Sequence, residues 1–316
     1  MGVQRGAGST PQAAAALGGV LGLLAACTHA AQSPAAAPPG LLSVAGATVQ
    51  LEPEAADFTH GSAPIVDWVR RSGQIVAAYY GHFPVPRLTL RLSLRGGDGV
   101  HGGTTYARPE AYIRVGVGRE VTPAQLSADW VLVHEMTHLA LPDTGESHAW
   151  LSEGLATYVE GVARVQAGNR SEADMWAEEL HAMPRGLPED GDRGLDHTHS
   201  WGRTYWGGAM FCLLADVQIR QRTHNRLGLQ DALRAILTAS GGLATDWPIA
   251  RVLHTGDAAV GVPVLEELYA RYADAPATPD LAGLWRDLGV EPDGNSVRFN
   301  EAAPLAPIRR AILTPR

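Results

Sequence analysis

Residues 131–141, VLVHEMTHLAL, set two histidines and a glutamate inside an otherwise apolar run long enough to be a buried helix. Burying such groups is costly unless something bonds them. On a helix, positions four apart share a face and lie about 6 Å apart along the axis, so the imidazoles of His134 and His138 can converge on one tetrahedral cation. Glu135 is rotated by about 100° from His134 and stays free to take a proton from water held by that cation. His-Glu-x-x-His arises by chance in roughly one chain in a hundred of this length, so the motif needs context. The competing reading is a pair of hydrogen-bonded core histidines beside a surface glutamate.

The context is a second segment, WLSEGLATY at residues 150–158, which offers Glu153 as a third ligand. Trp150, Leu151, Glu153, Gly154, Ala156 and Tyr158 match W-L-x-E-G-x-A-x-Y, and with the first motif the sequence resembles the gluzincin metallopeptidases. The resemblance implies Zn2+ on His134, His138 and Glu153, Glu135 as general base, and a peptide or protein substrate. The metzincin pattern fails, because position 141 is Leu rather than Gly and position 144 is Thr rather than His. Downstream, residues 201–220 resemble the Y-x-K-G helix start of aminopeptidase-like gluzincins, nearest the glycyl aminopeptidase family. That makes Tyr205 the implied donor to an oxyanion. The same aromatic cluster, Trp201, Tyr205 and Trp206, also reads as ordinary packing.

Three departures accompany the resemblance. Gly207 stands where the family has lysine. Residues 101–113, HGGTTYARPEAYI, lack the G-A-M-E-N-like glutamate that holds a substrate's free amine. The PDZ domain that often follows the catalytic region, whose end the stretch APLAPIRRAI resembles, is not expected here. Glu160, two turns after Glu153, reads either as a hydrogen-bond partner that orients a ligand imidazole or as a solvated glutamate. His197 and His199, in a polar loop, read either as contributors to a site or as exposed side chains, and His148 reads as incidental.

Around these motifs the pattern is that of an α+β protein. A strand is expected over 46–52, a helix over 63–80 and a half-buried strand over 87–95, where leucine alternates with polar residues. A Gly-rich turn at 96–103 leads to a strand over 111–117. Thr122-Pro123-Ala124-Gln125 carries helix-start signals, and one helix is expected from there to about residue 140. Further helices are expected over 148–166, 201–222, 230–239 and 264–272, with a polar loop over 184–200. The expected fold class is a zincin-type α+β metallopeptidase: a small N-terminal mixed sheet and helix, an HExxH helix, and a mainly helical C-terminal subdomain.

Residues 1–27 read as a lipoprotein signal peptide. The apolar run 13–26 has the length of a secretory core and ends in Leu24-Ala25-Ala26-Cys27, with Cys27 the expected lipidation site and Thr28 favouring the outer membrane. Cleavage near Ala30, leaving a soluble periplasmic protein, is the alternative. Residues 28–40 read as a flexible Ala/Pro tether and 41–316 as the catalytic domain, with a sheet-containing part to 145 and a helical part from 146. Cys212 lies in an apolar stretch and reads as a buried thiol, so no disulfide is expected. A net charge of −8 without a basic block argues against nucleic acid, and membrane contact is expected only through the anchor. The functional expectation is a zinc-dependent peptidase anchored in the bacterial envelope; the alternative is an inactive zinc-binding envelope lipoprotein that serves as a binding module.

Overall fold

The computed structural model describes residues 40–52 and 58–316. The expected signal peptide with Cys27, and all but the last residue of the expected tether, lie outside the described residues.

Five strands form one mixed sheet: β1 (Leu41–Val44), β2 (Ala47–Glu52), β3 (Arg87–Arg95), β4 (Val100–Tyr106) and β5 (Tyr112–Gly118), in the order β1-β2-β3-β5-β4. β2, β3 and β5 run parallel, whereas β1 and β4 pair antiparallel with their neighbours. The alternation in β3 does what period two requires: Leu88, Leu90 and Leu92 are buried, while Arg87, Arg91 and Arg95 are exposed. α1 (Ala63–Tyr80) buries Ile65, Trp68, Val69, Ile75 and Val76.

β4 corrects the expected Gly-rich turn, which in part is strand. Its register with β5 shifts between Val100 and Gly103, and Gly102 takes up the irregularity at φ +68°. The helix expected over 122–140 is two helices, α2 (Pro123–Ala128) and α3 (Val131–His138). The break is at Asp129, whose carboxylate accepts hydrogen bonds from the N–H groups of Val131 and Leu132 at 3.1 Å each and from Trp68 Nε1 at 2.9 Å. Asp129 thus competes with the helix ladder and starts a new helix, held by a side chain 61 positions away.

The remainder is mainly helical: α4 (Ala149–Gln166), α5 (Glu172–Ala182), α6 (Gly208–Arg222), α7 (Leu229–Ser240), α8 (Ile249–Val260), α9 (Val264–Tyr272), α10 (Leu281–Leu288) and α11 (Ala306–Ile312). A hairpin, β6 (Val290–Asp293) with β7 (Ser296–Phe299), interrupts the helical part. The helix expected over 201–222 is not uniform, because Arg203–Gly207 is a π-helical turn that leads into α6. Cys212 is a buried free thiol, as expected. Among the described residues no helix is long and apolar enough to cross a membrane.

Two close approaches fix the helices around the motifs. A Cβ on Gly154 would lie 2.2 Å from Gly208 Cα, and one on Gly208 would lie 2.0 Å from the Trp150 carbonyl oxygen. α4 and α6 therefore meet backbone to backbone one residue from Glu153. α3 packs against α4 on one side and against α1 and the edge strand β4 on others.

Candidate metal centre

α3 and α4 bring His134, His138 and Glu153 together. The two Nε2 atoms are 3.3 Å apart, and Glu153 Oε2 lies 3.3 Å from that of His134 and 3.4 Å from that of His138. A tetrahedron with bonds of about 2.0–2.1 Å has edges of about 3.3–3.4 Å, so the three atoms form one face of a zinc-sized polyhedron. Among the described residues this is the only group of three or more such side chains that could hold a metal ion.

The electrostatics suit a cation. Burial lowers the pKa of His134, and His138 lowers it further against the pull of Glu153. For His138 burial also acts downward, but the hydrogen bond to Glu153 and the charges of Glu153 and Glu135 outweigh it, and the pKa is raised. Burial pushes Glu153 up, yet its bonds to both imidazoles hold it well below the usual carboxylate range. The set is an ionised carboxylate beside at least one neutral imidazole, close to the state that a metal requires.

Glu135 is buried but stands outside the donor triangle. The Thr105 hydroxyl on β4 donates to Glu135 Oε2 at 2.6 Å, and its Oγ1 also lies 2.8 Å from the Glu135 backbone carbonyl oxygen. Gly103 makes room for that carboxylate, since a Cβ there would meet Glu135 Cγ at 2.5 Å and Oε1 at 2.8 Å. Tyr205 stacks on His134 with ring centroids 6.3 Å apart. Burial and then Glu153 push its hydroxyl up to about 12. His134, Glu135, His138, Glu153 and Tyr205 thus border one cleft of about 370 Å3, which Gly103, Thr104 and Thr105 close from the sheet side.

Glu160 lies elsewhere. It is buried against Arg164 at 2.6 Å, a pair set by i,i+4 helix spacing, and the group on a ligand imidazole is instead Ser152, whose Oγ is 2.9 Å from His138 Nδ1. Ser152, Thr105 and Gly103 were not singled out from the sequence. Ser152 adjoins Glu153 inside the second motif, whereas Thr105 joins the site through a strand that its Gly- and Thr-rich sequence did not announce. His148 and His197 pair with Asp196 and Asp274 respectively, and neither is among the residues that border the cleft.

A scan against protein-family models gives no match, and a search of curated proteins gives none. Solved structures do match. An aminopeptidase N family protein from Idiomarina loihiensis aligns with a TM-score of 0.58 at 14% identity, over 84% of this chain and 52% of that one. An M1 zinc metallopeptidase from Deinococcus radiodurans aligns with a TM-score of 0.48 at 16% identity, over 76% and 51%. The chain spans about half the length of the structures it matches. The first likeness shows the fold: mixed α+β, with an N-terminal mixed sheet and a mostly helical remainder, as in the aminopeptidase N family protein.

Proposed function

We propose that the chain is a zinc-dependent peptidase that holds Zn2+ on His134, His138 and Glu153 and uses Glu135 as general base. The observation that carries this reading is the donor triangle, with its tetrahedral edge lengths and a separate buried carboxylate oriented beside it. Within the gluzincins, the helix start at residues 201–220 and the terminal stretch APLAPIRRAI favour a likeness to the glycyl aminopeptidase family.

Zinc bound there supplies Lewis acidity, which lowers the pKa of water toward about 7 and polarises a carbonyl. Glu135 takes the proton of the attacking water on its carboxylate and returns it to the leaving nitrogen. Thr105 donates to Oε2 and so directs Oε1 to that exchange. Tyr205 keeps its proton at neutral pH and donates to the oxygen that gains charge. Ser152 fixes the ring of His138. β4 is the edge strand beside the cleft, so an extended peptide can add to it by backbone pairing. We also infer that Cys27 is lipidated and holds the domain at the envelope.

Glu135→Gln tests the assignment. The variant should bind zinc as the native chain does and lose about 10²–10⁴ in kcat on a mixed peptide library; native turnover in that variant would remove Glu135 from the chemistry. The second reading, a zinc-binding module without turnover, is favoured by Gly207 in place of lysine and by the missing amine-binding glutamate. Full zinc occupancy with no cleavage by the native chain would select it.

A further inference from the structure

A second cavity, of about 250 Å3, opens beside the donor triangle, and His134 and Tyr205 line both spaces. Its mouth is aromatic. Trp130 and Trp201 are 52% and 58% exposed, and among the described residues Tyr106 is the only other large hydrophobic side chain left so open. Two of three such groups at one opening mark a surface that a ligand covers.

Three carboxylates, of Glu160, Glu178 and Glu179, share the lining with Arg170 and Arg185, and their charges are unequally met. Glu160 pairs with Arg164 at 2.6 Å and Glu178 with Arg170 at 2.7 Å. Glu179 on α5 is 3% exposed, makes no ion pair among the described residues, and has no donor to its Oε2. Burial and then Glu178 push its carboxyl up to about 8 against the pull of Arg170, so it keeps its proton near neutral pH and would give it up to pair with a cation placed against it. On the same lining, Trp206 Nε1 is buried without an acceptor. The rim cation Arg185 is exposed to solvent, where its charge is screened.

We propose that this cavity receives a basic side chain of the substrate, lysine or arginine, next to the scissile bond, with the cation on Glu179 and the aliphatic stem along Trp201 and Trp206. The proposal rests on the peptidase reading of the adjoining centre. An aromatic wall accepts a methylene stem and adds cation–π attraction, and a cation completes a buried carboxylate that an apolar group would leave unpaired.

Two measurements on the full-length, zinc-loaded protein test this. In the first, intrinsic tryptophan fluorescence is titrated with N-acetyl-arginine amide and with its neutral isostere, N-acetyl-citrulline amide. The arginine compound should bind about tenfold or more tightly, and Glu179→Gln should abolish the difference. Equal affinities in the native protein would overturn the proposal. In the second, matched peptides carry arginine, lysine, citrulline or leucine beside the scissile bond; kcat/KM should favour the basic pair about 10- to 100-fold and level out in Glu179→Gln. Trp201→Ala alters an exposed side chain, so it should leave the fold intact and weaken the arginine compound severalfold; unchanged affinity would overturn the placement of the ligand. A protein that cleaves nothing yet discriminates arginine from citrulline supports the cavity assignment and sinks the peptidase reading. A protein that cleaves peptides without regard to charge does the reverse.

Discussion

Replacing Gly103 by alanine should lower kcat about 100-fold with zinc still bound. The added Cβ would sit 2.5 Å from Glu135 Cγ, and ordinary van der Waals contact begins at 3.4 Å, so the carboxylate or the strand must give by 3.4 − 2.5 = 0.9 Å. The strand cannot yield without consequence, because Thr105, two residues on, holds Glu135 Oε2 at 2.6 Å. A displacement of about 1 Å in a reacting group costs about 10²-fold in rate, or about 2.7 kcal/mol of transition-state stabilisation. Overpacking at the same place should destabilise the fold by about 1–3 kcal/mol. The assay is kcat and KM on a fluorogenic peptide, with zinc content by mass spectrometry and a thermal melt on the same preparation. Gly102→Ala serves as the control: it has φ +68° with no neighbour within 4 Å of a Cβ, so it carries backbone strain of about 1–2 kcal/mol and no contact with Glu135. A Gly103→Ala protein with kcat within twofold of native and full zinc would refute the claim that this backbone approach positions the base.

Ser152→Ala removes the hydroxyl 2.9 Å from His138 Nδ1 and should weaken zinc binding about 10- to 100-fold in a chelator competition; unchanged affinity would deny Ser152 its orienting part. Glu179 sits at about 8 against an ordinary value of 4.5, so the native state keeps a proton that the unfolded chain has lost. Stability should therefore fall as pH rises from about 4.5 to about 8, by at most about 1.4 kcal/mol per pH unit from this group, and level off beyond. Denaturant melts of native and Glu179→Gln across that window should differ in slope, and parallel curves would contradict it. Cys27→Ser should move the protein from the membrane fraction to the soluble fraction and abolish labelled-palmitate incorporation; retention in the membrane would exclude lipidation at that residue.

The parts of the site that were legible in the sequence are those whose geometry is local. His134 and His138 meet because four residues make one turn, and Glu153 was found through its neighbours Trp150, Gly154 and Tyr158. Gly154 itself stands there for a reason no pattern states: it lets α4 meet Gly208 of α6. The break between α2 and α3 was not legible, because the Asp129 carboxylate that causes it is steadied by Trp68, which only the fold brings near. β4 was hidden by its composition, since glycine and threonine around a bulge carry no alternation of apolar side chains. Glu160 could have been read better: an arginine four residues on, in a helix, is the partner that captures it. The aromatic cavity draws on α3, α4, α5 and the segment before α6, and no single stretch of chain foretells such a meeting.

The glycine crossing of α4 and α6 bears on how this architecture can diversify. With no side chains between the two backbones, the spacing from the Glu153 carboxylate to the Tyr205 ring behaves as a rigid gauge rather than an adjustable gap. Mutation can widen it only by prising the helices apart, so variants selected for new substrates should leave that seam untouched and accumulate changes at side chains of α5, at Arg185 and at Trp201, which can be exchanged one at a time.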